Sequence, residues 1–402
     1  KRDTPALYRI LTEVEVPVWR SEMVLQQQTA FRTERVLVSN PALPTAAFAN
    51  ESLRAGDAVT MLAGRDVSLS GLTRATEADG VVQIAAGRDV LLDGALPTEA
   101  SAPAGEHANV LAAVADIRAG LKVDVRGGRY VDMRANAILK ADDNNPSTSN
   151  GVIRLDAGKT LFVRSDAFGG HEVYLYSGGD VELRAKLDSG HLIDVRAGLG
   201  PDGIGSVITD INADLATSGS EIHIFAGPNG GNLLLNDSQI YTAGPISLSA
   251  PAGALINTGG WILADTMVAT ARDGISGQID VRTLYATITG VGDLALTTFG
   301  DVTLANVSVA NGSIDLQGCG SVVADIVQAL GGTGNVTLGS YAGNLTLGMI
   351  QAAGTFSAQA NVGEIQQSPG GSITAADVSF TGEMPPNLNL SANELVIVAY
   401  QP

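Results

Sequence analysis

The sequence holds one cysteine in 402 residues, Cys319, so no disulfide can close within it. Aromatic residues make up only 4%. That leaves few large anchors for a globular core, and burial must come from Val, Ile, Leu and Ala within a hydrophobic share of 45%. Basic residues run out along the chain. Past residue 200 only Arg272 and Arg282 remain against 16 acids, and the formal net charge is −18. Such a surface offers phosphate backbones and anionic lipid little to exchange for their counterions, which argues against nucleic-acid and lipid partners. Helical stripes are nearly absent, the longest being an Ala-rich stretch at 110–117. Residues 326–363 carry no charge, yet they are dense in Gly, Thr, Asn, Ser and Gln and contain no 18 consecutive apolar positions. Membrane insertion is therefore not expected.

What the chain has in quantity is glycine, 48 residues of it, and an internal period. An aliphatic residue, any residue, Ala or Ser, then Gly recurs as Met61-Leu-Ala-Gly64, Ile84-Ala-Ala-Gly87, Ile117-Arg-Ala-Gly120 and Leu155-Asp-Ala-Gly158. It returns as Leu175-Tyr-Ser-Gly178, Val195-Arg-Ala-Gly198 and Ile224-Phe-Ala-Gly227. Ile153, Val173 and Ile193 keep a step of 20, as do Leu155, Leu175 and Val195. Aliphatics on alternate positions read as half-buried strands, with Arg154, Tyr174 and Asp194 expected in solvent. Later the motif changes to Gly300-Asp-Val-Thr-Leu304, Gly334-Asn-Val-Thr-Leu338 and Gly343-Asn-Leu-Thr-Leu347. Gly before Asp or Asn suits corners at positive φ. The expected fold is all-β, a parallel β-helix (β-solenoid) with coils of about 20–22 residues, because each repeat packs only on its neighbours.

Four sections are expected. Residues 1–49 form a strand-rich N-terminal arm, cap or connection, and 50–230 the first helical section. Residues 231–382 form an acidic second section, and 383–402 a tail with a last strand at Leu395-Val-Ile-Val398. The chain starts at Lys1 without an initiator methionine, which reads as a processed product or a piece of something larger.

Few residues suggest chemistry. Ala157-Gly158-Lys159-Thr160 resembles the end of a phosphate loop, but Gly151 is badly spaced and a strand-like Leu161-Phe-Val follows. His171 and His191 lie 20 apart, each after Gly, and on a 20-residue coil they would stack as candidate metal ligands with Glu172 or Asp188 nearby. Asp142 and Asp143 head an oxygen-rich loop, and Asp202 ends a Gly-Leu-Gly-Pro-Asp turn; both offer Ca²⁺ ligands without the spacing of a known calcium loop. Asp142, Asp143 and His171 also carry the alternative reading, a carbohydrate-active β-helix of polysaccharide lyase or hydrolase type, which needs two carboxylates across the scissile bond. Neither a catalytic constellation nor a bound cofactor is expected.

Leu53-Arg-Ala-Gly-Asp-Ala-Val59, Leu62-Ala-Gly-Arg-Asp-Val67 and Ala86-Gly-Arg-Asp-Val90 resemble the haemagglutinin-type repeats of filamentous haemagglutinin-like adhesins. The resemblance is clearest over 51–200. It implies a right-handed β-helix exported to the bacterial surface, acting as a structural or adhesive module. The implied partners are further copies, end to end or side by side, or a glycan or protein on a host or neighbouring cell.

Overall fold

The computed structural model describes residues 45–48, 53–92, 115–134, 137–141, 150–218, 220–383 and 388–398. Most of the expected N-terminal arm, together with Asp142 and Asp143, lies outside the described residues. Among the described residues there is no helix, and the strands stack in parallel columns. The chain divides into two compact units, Lys1–Tyr174 and Leu175–Pro402.

In the first unit each strand pairs with the third strand after it, giving three columns. One contains Thr45–Phe48, Asp66–Leu69, Asp89–Leu92, Tyr130–Met133 and Thr160–Val163. A second contains Leu53–Ala55, Leu72–Ala75, Asp116–Ala119, Ile138–Ala141 and Ala167–Gly169. The third contains Ala58–Ala63, Val81–Ala86, Lys122–Gly127 and Val152–Ala157. Alternation in the sequence becomes alternation of burial. Val59, Val82, Val123 and Ile153 stack in register, each at most 3% exposed. Neighbouring strands sit ~4.8 Å apart, so aliphatic side chains one coil apart touch and exclude water from the interior.

Steps down this third column are uneven: 23, 41 and 30 residues from Val59 to Val82, Val123 and Ile153. The expected glycine series mixes two corners. Gly87, Gly128 and Gly158 share one corner, where a Cβ on each would meet the carbonyl oxygen of the glycine one coil earlier at 2.1–2.2 Å. Gly120 belongs elsewhere, its added Cβ meeting the Glu77 carbonyl at 2.0 Å.

The second unit begins with the same three-strand coils. Val181–Leu183, Val207–Thr209, Leu233–Asn236 and Leu255–Thr258 form one of its columns. Trp261–Ala271 then pairs with both Gln239–Thr242 and Pro245–Ala250, so one strand serves two columns. From there the coils settle into two columns with strands pairing to the second after. Leu294, Ile314, Val336, Phe356 and Val378 stack with steps of 20, 22, 20 and 22, the expected coil length. Phe356 and Phe380 close the interior edge to face, 5.9 Å between ring centres. The expected last strand is present as Glu394–Val398, paired on Asp377–Glu383.

Two expectations need correcting. Gly300, Gly334 and Gly343 are not among the glycines at positive φ. The adjoining coil leaves no room for a side chain there: a Cβ on Gly334 would lie 2.7 Å from the Gly312 carbonyl oxygen, and one on Gly343 2.5 Å from the Ser321 nitrogen. Asp194 is not a solvent-facing residue either, being 3% exposed.

Candidate functional site

His171 is half-buried at the start of Glu172–Ser177, with its backbone N–H donated to the Gly151 carbonyl at 2.8 Å and Nδ1 3.3 Å from Glu172 Oε1. His191 is exposed, and its N–H donates to Ser189 Oγ at 3.3 Å. The two histidines belong to different compact units. Asp202 closes a turn: its Oδ1 accepts the Ile204 N–H at 3.2 Å, and its carbonyl accepts Asn229 Nδ2 at 3.0 Å. That is the ordinary use of an aspartate to satisfy backbone in a tight loop. Lys159 lies between the strands Val152–Ala157 and Thr160–Val163, with no helix after it to cradle a phosphate.

Charge in the first unit is organised in pairs. Residues two apart on a strand share a face, so Asp116–Arg118, Asp124–Arg126 and Arg154–Asp156 meet at 2.7, 2.9 and 3.1 Å. Other arginines reach between coils. Arg88 Nε donates to Asp66 at 2.6 Å and Arg129 Nε to Asp89 at 2.9 Å. The Arg88 hydrogen bond is the largest influence on Asp66 and holds its carboxyl below the usual aspartate range. Asp124 is 3% exposed. Burial pushes its pKa up most strongly, yet hydrogen bonds from Arg126 and Lys122, the latter at 2.9 Å, leave it net lowered.

The second unit also holds such pairs. Asp194 accepts Arg196 Nε at 2.9 Å and the Tyr176 hydroxyl at 3.0 Å, and Asp273 accepts Arg272 Nε at 2.7 Å. Other carboxylates and amides there work on backbone. Asp293, Asp301, Asn335 and Asn344 accept the N–H groups of Ser313, Ser321, Thr355 and Glu364 at 2.7, 2.7, 2.8 and 3.0 Å. Each is the residue after Gly in the Gly-Asp/Asn motif, and each caps the coil that follows. The acidic surface is thus partly structural. Only acceptor capacity is needed, which is why Asp and Asn alternate at this place.

The second unit also carries a cleft of about 270 Å³. Its floor follows one outward ladder, Thr297, Gln317, Gly339 and Gln359, which are register partners on successive coils. Tyr341, just past the strand Val336–Ser340, and Asn361, within Thr355–Thr374, line its side. Gly339 lets the Gln317 amide fold down onto the floor, since a Cβ there would lie 2.0 Å from Gln317 Oε1. No motif in the sequence marked this place. The available signal was one glycine interrupting a polar ladder at a 20–22-residue step.

Comparison with protein-family models, curated proteins and solved structures finds no match.

Proposed function

We propose that this chain is a right-handed parallel β-helix serving as a non-catalytic structural or adhesive module of a bacterial surface or secreted protein. The observation that carries the reading is the repeating outward face. Successive coils present side chains in register every 20–22 residues through much of the second unit, and polar side chains of one coil cap the next. Such a face offers equivalent positions at ~4.8 Å intervals, suited to multivalent adhesion or lateral assembly. The net charge of −18 favours solubility of such a component. The Ala-Gly-Arg-Asp-Val repeats support the adhesin resemblance, and their aspartates Asp66 and Asp89 each accept an arginine of the next coil.

Antibodies raised against the chain and applied to intact cells of its source test the reading. Surface labelling that external protease removes is expected. Confinement of the antigen to the cytosol would overturn the proposal, and so would turnover of a polysaccharide by the purified chain. Density that resolves the backbone decides the hand.

A further inference from the structure

From the cleft over Gly339 we infer a binding site for a neutral oligosaccharide. This deepens the adhesive reading and rests on it. The lining contains no charged side chain. Gln317, Gln359, Asn361, Thr297, Tyr341 and the free thiol of Cys319 bring its polar side chains, and Ser340 is committed to backbone carbonyls at 2.6 and 2.9 Å. A charged ligand would be desolvated there without an opposite charge to pair with. An anionic glycan would also meet the field of a unit whose only basic residues past Arg196 are Arg272 and Arg282.

Internal hydrogen bonds aim the amides. Gln317 Nε2 donates to Asp315 at 2.7 Å, which turns Oε1 over Gly339. Gln359 Nε2 donates to Asn361 Oδ1 at 2.6 Å, leaving Gln359 Oε1 as an acceptor and Asn361 Nδ2 as a donor. Fixed acceptors beside a fixed donor suit hydroxyl groups, which give and take hydrogen bonds at once. Holding them in place before binding reduces the entropy lost on association.

An apolar surface completes the site. Tyr341 is 66% exposed beside the amides. An exposed ring with a polar tip is an anchor for a ligand that has both C–H faces and hydroxyl edges. Phe299 continues the strand after Thr297 and Thr298, as Tyr341 does after Gly339 and Ser340, two coils away. Phe299 is 39% exposed and stacked on Trp261, with ring centres 5.1 Å apart and planes 19° apart. Coils rise by ~4.8 Å, close to the length of one pyranose ring, so a linear sugar chain can run across coils with one residue on each rung. Aromatic faces then lie along one side of its path and amides along its floor.

The probes are neutral tetrasaccharides of β-1,4-glucose, β-1,3-glucose and β-1,4-N-acetylglucosamine, with tetragalacturonate as the charged comparison. Binding is read by titration calorimetry and saturation-transfer NMR on the whole chain. At least one neutral tetrasaccharide is expected to bind, Tyr341→Ala to weaken it by up to about tenfold, and Gln359→Ala to weaken it while melting temperature is unchanged. Three results would overturn the site: no neutral sugar binds, both variants bind as the parent does, or tetragalacturonate binds equally well. Shortened sugar recovered afterwards would instead overturn the non-catalytic reading, whereas intact sugar that never bound overturns only the cleft assignment.

Discussion

Arg129 forks onto the carboxylate of Asp89, 40 residues earlier in sequence and one coil away in space, with Nε 2.9 Å from Oδ1. Arg88 does the same to Asp66, 22 residues earlier. The Gly-Arg-Asp-Val sequence therefore has a mechanical meaning: its aspartate takes the arginine of the next coil, Asp66 taking Arg88, and Asp89 taking Arg129 of Gly128-Arg-Tyr-Val131. Arg129 also lies over the ring of Tyr130, 4.7 Å from its centre. Being planar, the guanidinium serves both partners in one orientation, which a lysine could not do.

Acid should weaken the first unit. Asp66, through its Arg88 hydrogen bond, and Asp124, where Arg126 and Lys122 outweigh burial, both have lowered pKa values in the folded chain. The unfolded chain, with ordinary aspartates near ~3.9, takes up protons first. The associated stability is complete above about pH 4 and is lost as pH falls through the lower folded values. Urea melts at descending pH should show the loss, and a variant carrying both Asp66→Asn and Asp124→Asn should show a shallower one. An identical pH slope in that variant would contradict the assignment.

Removing the buried acid should cost more than removing an exposed one. Asp124→Ala removes the shared acceptor of Arg126 and Lys122, at a cost of about 1 kcal/mol because both cations keep access to water. Asp273 makes a bidentate pair with Arg272 at 2.7 Å, but both side chains stand well out in solvent. Asp273→Ala should leave the melting curve unchanged. Thermal and urea denaturation of the two variants side by side checks the ranking.

Corner caps should care about an acceptor and not about charge. Asn335→Ala removes the oxygen that takes the Thr355 N–H and should destabilise by about 1 kcal/mol. Asn335→Asp and Asp293→Asn should both be close to parent stability, since each keeps the acceptor in place. Equal loss in Asn335→Ala and Asn335→Asp would mean that the donor side of the amide is what matters there.

Glycines should separate by cause. Gly128→Ala drives a Cβ against the Gly87 carbonyl at 2.2 Å and should cost about 1–3 kcal/mol as overpacking. Gly332 has φ +64° and nothing within 4 Å of an added Cβ. Gly332→Ala should cost about 1 kcal/mol from backbone conformation alone, and Gly332→Asn should recover part of it. Asparagine at 128 should offer no such rescue.

Strands were legible in the sequence because alternation survives in nearly every one of them. Ile153, Leu155, Val173, Leu175, Ile193 and Val195 are all fully buried, as their spacing required. Corners were harder. Ala-Gly at 119–120 and at 157–158 look alike, yet they sit at different corners, and only the register reveals it. Asp194 reads as an outward residue by parity; its burial comes from Tyr176 and Arg196 closing over it, which parity does not encode. The fusion of two columns at Trp261–Ala271 had a faint signal, since neither Gly nor Pro interrupts 261–271. The cleft had fainter signal still, because it depends on what Gly339 lacks between two glutamines 42 residues apart.

The central claim is that coils stack in parallel with a fixed register, and a disulfide trap reads that register directly. Thr303 and Val323 are register partners on adjacent strands, both facing outward. Thr303→Cys with Val323→Cys, in a Cys319→Ser background, places two thiols within the Cα spacing of ~4.4–6.8 Å that a disulfide tolerates. Thr303→Cys with Ala324→Cys places them on opposite faces. Mild oxidation followed by mass mapping should give a quantitative 303–323 crosslink and none at 303–324. No bond at 303–323, or equal yields from both pairs, would contradict the stacked-coil architecture.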